Sequence, residues 1–139
     1  MGGNQWRPIL HVQDAAEAFI AAAEADDDRV RGETFNVGSN RENYTVLDVA
    51  RRVQAQCPAA ALEIVDGAGD ERDYRVSFDK IHHVLNFQTR FTVDTGIREM
   101  LAAFSRGVVP DPGHERYNNF RHLKTHGFSG AGAAARVAS

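Results

Sequence analysis

The stretch Trp6-Arg7-Pro8-Ile9-Leu10-His11-Val12-Gln13-Asp14 constrains this chain more than any other. Proline pushes the residue before it into extended backbone, so Arg7 begins an extended segment. Ile9, Leu10 and Val12 keep that segment apolar over a strand's length. Asp14-Ala15-Ala16-Glu17 then reads as a capping box, with Asp14 as N-cap and Glu17 reaching back to it. A strand running directly into a helix start is expected, with one arginine at its mouth. That arrangement suits gripping an anion, and spacing alone leaves equally open that Arg7 is an ordinary surface arginine.

The 139 residues suffice for one domain, or a piece of one. A composition of 42% hydrophobic and 25% charged residues is that of a globular protein. The formal charge of -3 provides no clustered basic footprint, so nucleic acid is not an expected partner. No apolar run approaches the roughly 18 residues of a membrane span, and no basic region precedes an apolar one as in a secretory signal. The single cysteine, Cys57, has no internal disulfide partner. A reducing cytoplasm is the expected location.

The first helix is read from Asp14 to Ala25, with Ala15, Ala16, Phe19, Ala22 and Ala23 as its packing face. Asp26-Asp27-Asp28 opposes the negative end of a helix dipole and is read as a solvated loop. Glu33 to Val37 is a short strand candidate, followed by Gly38-Ser39-Asn40. Thr45-Val46-Leu47-Asp48 is a helix-start signature, and Val46, Val49, Ala50, Val53 and Cys57 recur at helical spacing behind it. Cys57 belongs to that stripe and reads as a packed thiol, not a nucleophile. Leu62 to Val65 is a further strand candidate, and Val76 and Phe78 mark a brief extended piece. Asp79 opens a short helix with Ile81, Val84 and Leu85 inward, stopped by Asn86 in the left-handed conformation. Thr92 caps a last helix carrying Val93, Ile97, Met100, Leu101 and Phe104.

The sum is an α/β chain, akin to a small α+β lobe, of about four helices and two or three short strands. Residues 1–110 form its body, 111–126 an extended arm, and 127–139 a flexible tail rich in glycine and alanine. The chain starts almost inside a structural element, so a preceding βαβ unit is expected to belong elsewhere.

Chemical motifs are few. Gly130-Ala131-Gly132-Ala133-Ala134-Ala135 matches a loose dinucleotide pattern, but too few residues follow it to build the helix that holds a pyrophosphate. None of the three tyrosines has a lysine four residues on: the positions after Tyr44, Tyr74 and Tyr117 are Asp48, Phe78 and Arg121. His122 and His126 share a helical spacing, but Leu123 stands where a zinc hydrolase needs glutamate and Gly127 ends any helix there. His82 and His83 are adjacent and diverge, so no metal site is expected. His11 reads as a satisfied, half-buried side chain. Arg7, Arg72 and Arg75 fall in or beside irregular segments, where binding groups gather. Their planar forks suit phosphate oxygens, and Asp70 and Asp73 could accept from sugar hydroxyls. A mutually neutralising cluster of surface ion pairs is the competing reading.

Three segments in register carry a resemblance: Trp6-Arg7-Pro8-Ile9-Leu10-His11-Val12-Gln13-Asp14, Phe35-Asn36-Val37-Gly38-Ser39, and Gly69-Asp70-Glu71-Arg72-Asp73-Tyr74-Arg75. Over residues 1–105 the chain resembles the C-terminal, substrate-binding part of the NAD-dependent epimerase/dehydratase family, the extended short-chain dehydrogenases that act on nucleotide-sugars. The resemblance implies a small lobe that closes over a nucleotide-sugar, with Arg7 on the diphosphate and Asp70 beside the nucleoside hydroxyls. It places His11, Asp14 and Asn36 at positions that mostly hold the fold. Many members carry an arginine two residues before the glycine of the third segment; here that position is Gly67, and Arg72 or Arg75 would supply the charge.

A complete member binds NAD(P) in an N-terminal Rossmann domain that also carries a tyrosine–lysine catalytic pair. Neither motif is in this chain, so it is expected to bind no cofactor and to catalyse nothing alone. Expected partners are a nucleotide-sugar or other small molecule, and a Rossmann domain or second copy packed on exposed apolar faces. A stand-alone nucleotide-sugar-binding or interaction module is the alternative.

Overall fold

The extended start imposed by Pro8 becomes β1, Trp6–Pro8, in the computed structural model, which describes residues 3–65 and 72–127. Its partner is β2, Asn43–Thr45, a segment without the apolar alternation of a sequence-predicted strand. The two pair antiparallel, with Trp6 opposite Thr45, Arg7 opposite Tyr44 and Pro8 opposite Asn43. Proline brings no N–H to this ladder. The Ile9 N–H extends it by donating to the Glu42 carbonyl at 2.9 Å.

The chain divides into two compact units at the Ala102–Ala103 bond. The first holds β1, α1 (Val12–Glu24), α2 (Asp27–Val30), β2, α3 (Val46–Gln56), α4 (Asp79–Leu85) and most of α5 (Val93–Ser105). The second holds the end of α5, a 3-10 turn at Glu115–Tyr117 and α6 (Asn119–His126). Six helices and a two-stranded sheet among the described residues make a small mixed α/β protein, as the sequence implied.

The start of α1 differs from expectation. His11, not Asp14, is the N-cap, its Nδ1 accepting from the Gln13 N–H at 3.3 Å. Asp14 is the third residue of the first turn and is 1% exposed. Its two carboxylate oxygens accept from the backbone N–H groups of Arg90 at 2.9 Å and Phe91 at 3.1 Å. Those donors precede α5 and have no ladder of their own, so a buried carboxylate serves them better than it would serve a helix end already capped. Glu17 reaches Arg90 at 2.6 Å instead of turning back to Asp14. The packing face of α1 is rotated too. Asp14 and Ala18 are buried along it, whereas Phe19, grouped above with the packing alanines, is 80% exposed beside exposed Val12 and Ile20.

Asp27 and Asp28 open α2 instead of forming a loop, since acids favour the positive end of a helix. The residues from Glu33 to Val37 remain outside the sheet. Phe35 and Val37 pack on the core, and the backbone is held by side chains: Lys80 Nζ donates to the Thr34 carbonyl at 2.9 Å, and Asn36 Nδ2 to that of Ser77 at 3.4 Å. Leu62 to Val65 is also no strand, with Ile64 and Val65 exposed.

The helix starts read at Thr45 and Thr92 are realised. Thr45 and Asp48 close a reciprocal box, Asp48 N–H to Thr45 Oγ1 at 3.1 Å and Thr45 N–H to Asp48 Oδ2 at 3.2 Å. Thr92 Oγ1 accepts from the Thr95 N–H at 3.3 Å, and Val93 and Ile97 are buried behind it. Asn86 ends α4 with φ 52°, in the left-handed region. Met100 and Phe104, placed in the apolar stripe of α5, are exposed.

The core of the first unit is small. Ala18, Phe78, Ile81 and Phe87 form it, with Phe35, Val37, Val76 and Leu85 packed around them. Gly38 is required by close approach: a Cβ there would lie 2.6 Å from Phe78 Cε1. In the second unit, residues 119–126 of the expected extended arm form α6, because Asn118 caps it by accepting from the Arg121 N–H at 3.0 Å. The tail from residue 128 lies outside the described residues. Among those described, no helix is long and apolar enough to cross a membrane.

Asp14→Ala leaves the Arg90 and Phe91 N–H groups without their acceptor and should cost about 3 kcal/mol of stability. Asp14→Asn keeps one acceptor oxygen and should cost distinctly less. Chemical denaturation of the three proteins measures both, and equal stability of Asp14→Ala and the parent would contradict the role given to this carboxylate.

Candidate functional site

Of the arginines named from the sequence, Arg7 lies on β1, and Arg72 and Arg75 lie on the chain to Val76 that is laid beside it. Asp73 Oδ1 accepts from the Trp6 N–H at 2.8 Å, so Asp73 serves the backbone here. Arg7 Nη1 donates to the Trp6 carbonyl at 2.6 Å and to the Arg72 carbonyl, tying both segments through one guanidinium. The Arg7 Cζ also stands 5.5 Å from the Tyr74 ring centroid, and the Arg75 Cζ 4.3 Å from that of Trp6. Each guanidinium thus stands within reach of the negative face of one aromatic ring, Arg7 with Tyr74 and Arg75 with Trp6. Asp70 and Gly67 lie outside the described residues.

The adjoining chain is fixed by asparagines. Asn43 Oδ1 accepts from the Val76 N–H at 3.1 Å while its Nδ2 donates to the Val76 carbonyl at 3.0 Å. Asn40 Oδ1 accepts from the Phe78 N–H at 2.9 Å, and its Nδ2 donates to Asp79 at 2.7 Å. Sequence reasoning passed over both residues, since an asparagine that mimics a strand partner has no periodic signature.

A second polar group, also missed, sits across the ribbon. Glu42, buried, accepts from the Val93 N–H at the start of α5 at 2.8 Å and from the Tyr44 hydroxyl at 3.2 Å. Burial and the Glu42 carboxylate push the Tyr44 hydroxyl above its ordinary range. Arg52 stands over the Tyr44 ring at 4.7 Å and donates to Asp94 at 2.5 Å, a bond that raises the Arg52 guanidinium further. Elsewhere, Ser39, Asn40, Arg41, Asp79, His82 and Gln88 help to line a cleft of about 380 Å³. It holds none of the arginines named from the sequence. His11 is satisfied, as read: its Nε2 is 3.0 Å from Glu99, and its ring stacks on Phe91 at 4.4 Å.

The pyrophosphate of a dinucleotide sits at an open helix N-terminus behind a glycine turn. Here α1 is closed by His11, α3 by Thr45 and Asp48, and α5 by Glu42, whose carboxylate would repel a phosphate.

Comparison with known proteins adds kinship. Residues 1–38 match the model of the NAD dependent epimerase/dehydratase family. The chain is 32% identical over 113 residues to UDP-glucose 4-epimerase of Neisseria gonorrhoeae, covering 80% of this chain and 32% of that protein. It is 27% identical over 106 residues to dTDP-glucose 4,6-dehydratase of Escherichia coli, covering 70% of this chain and 28% of that protein. These likenesses support the epimerase/dehydratase family. The chain spans about a third or less of the length of these relatives.

Two carboxyls beside these elements are held below the ordinary carboxylate range, Asp48 by the Thr45 hydroxyl and N–H, and Asp79 by the Ser77 hydroxyl and the Asn40 amide. A carboxyl lowered by folding stabilises the fold fully above its unfolded value of about 4, and that contribution vanishes as pH falls through the folded value. Thermal melting from about pH 5 down to about pH 3 should therefore show a falling midpoint. The decline should be shallower in the Asp48→Asn/Asp79→Asn double variant; an identical decline would contradict the assignment.

Proposed function

We propose that this chain is the substrate-holding portion of an NAD(P)-dependent nucleotide-sugar epimerase or dehydratase. The observation that carries the reading is that Arg7 bonds the Arg72 carbonyl and so draws the Arg72–Val76 segment alongside β1, with Arg7 over Tyr74 and Arg75 over Trp6. Guanidinium forks match the oxygens of a diphosphate, and aromatic rings offer flat apolar area to a base or sugar. The relatives named for UDP-glucose and dTDP-glucose suggest a nucleoside diphosphate sugar as the ligand class.

On this reading Arg7 has two tasks. It fastens the Arg72 segment to β1 and offers positive charge to the ligand. Arg72 and Arg75 add charge from the fastened segment, and Asp70 accepts from nucleoside hydroxyls. NAD(P) and the tyrosine–lysine pair would come from a separate Rossmann portion, so the chain by itself holds a substrate without transforming it. Its expected setting is the cytoplasm. The second reading, a stand-alone binding or interaction module, draws on the exposed Val12, Phe19 and Ile20 of α1, an apolar surface suited to a partner domain or a second copy.

Calorimetric titration with UDP-glucose and dTDP-glucose tests the ligand class. Binding of at least one sugar is expected, and Arg75→Ala should weaken it roughly tenfold or more, as for lost hydrogen bonds to a charged group. Arg7→Ala should weaken it similarly and also lower the melting temperature. Absence of binding at millimolar sugar, or unchanged affinity in both variants, would sink the proposal.

A further inference from the structure

The second unit brings together three side chains that the nucleotide-sugar reading does not use. Glu115 lies in the 3-10 turn, while His122 and His126 lie one helical turn apart on α6. The i, i+4 spacing puts both imidazoles on one helix face. Their rings stack with centroids 4.5 Å apart and planes inclined by 26°. Glu115 faces them from the turn, its Oε1 3.6 Å from His126 Nε2. One ligand atom from each of the three residues falls within 4.8 Å of the others. We propose that Glu115, His122 and His126 form a binding site for a divalent transition-metal ion of the zinc type.

Two of the three donors, His126 and Glu115, are oriented by their neighbours. His126 Nδ1 lies 3.2 Å from the His122 carbonyl oxygen, which only accepts. The proton of neutral His126 is therefore on Nδ1, and the lone pair on Nε2 faces Glu115. An imidazole that gives its other N–H to a backbone carbonyl is how metal-binding histidines are commonly oriented. The Thr125 hydroxyl donates to Glu115 Oε2 at 3.2 Å, leaving Oε1 as the oxygen nearer His126. Arg116, next in sequence to Glu115, has its guanidinium over the Tyr117 ring at 5.0 Å.

Distance and chemistry favour a small borderline ion. Ligands about 2.0–2.2 Å from a tetrahedral zinc are themselves roughly 3.3 Å apart. The Glu115–His126 pair is already near that separation, and rotation of exposed side chains closes the rest. Two imidazoles and one carboxylate suit zinc and its neighbours, whereas magnesium and calcium prefer all-oxygen shells. The histidines are exposed and Glu115 is only partly covered, so an ion has an open path and water can complete its shell. With Leu123 between the histidines there is no glutamate on that helix turn to act as a base, so the inference is of binding and not of hydrolysis.

The alternative is a surface Glu115–His126 ion pair, which needs a protonated imidazole. A metal needs a neutral one, so pH separates the two. Titration of the full metal-free chain with zinc sulfate against a chromophoric chelator, at neutral pH, should show one zinc bound per chain. Magnesium should not compete. His122→Ala, His126→Ala and Glu115→Gln should each weaken zinc binding roughly tenfold or more, and Thr125→Val several-fold, as expected for an outer partner. Affinity should fall on acidification, because protons compete with the ion for the ligand atoms. A His82→Ala/His83→Ala/Cys57→Ser variant should bind as the parent does. No stoichiometric binding by the folded parent would overturn the proposal. So would binding that survives His122→Ala/His126→Ala or disappears with the His82, His83 and Cys57 changes.

Discussion

The side-chain amide of Asn43 holds the first unit together where a third strand would otherwise be needed. By accepting from the Val76 N–H and donating to the Val76 carbonyl, it acts as one residue of strand pairing supplied by a side chain. Asn40 repeats the device at Phe78, whose ring then drops into the core against Gly38. Upstream of the clamp, the chain from Arg72 lies along β1, where Asp73 takes the Trp6 N–H and Arg7 reaches the Arg72 carbonyl. The sheet is only three residues wide on each side and one of its members is a proline. Side chains bonded to backbone therefore carry the tertiary order that a longer ladder carries in most α/β proteins.

Buried carboxylates play the same part at the other joint. Asp14 receives two N–H groups ahead of α5, and Glu42 receives the first N–H of α5 itself. Together they fix the chain from Arg90 to Val93 against α1 and the end of the 3-10 turn at Asn40–Glu42. The Glu42 carboxylate also closes the start of α5 to a phosphate. On the proposed function, charge for an anionic ligand is supplied instead by Arg7, Arg72 and Arg75.

This division also explains what could be read in advance. Helices with strong local signals were legible: the Thr45–Asp48 box, the Thr92 cap and the Asn86 stop all depend on residues within one turn of each other. The strands were not, apart from the start at Pro8. Glu33 to Val37 and Leu62 to Val65 have strand composition but lack a partner edge, while Asn43 to Thr45 has a partner and little strand composition. Asp14 had the sequence of a cap and became a buried acceptor for residues 76 and 77 positions away. Of the candidate site, Arg7, Arg72 and Arg75 were named from their segments. Their joining through Asp73, Asn43 and Tyr74 rests on long-range bonds that no local pattern announces.

In the proposed function the clamped Arg72–Val76 segment and β1 together hold the diphosphate. Titrating isotope-labelled protein with uridine diphosphate, followed by proton–nitrogen correlation spectra, tests it most directly. Shifts are expected at the Trp6 indole N–H and at the amides of Arg7, Asp73, Tyr74 and Arg75, saturating together. Shifts confined to the cleft around Ser39, Arg41 and His82, or no shifts at all, would contradict it.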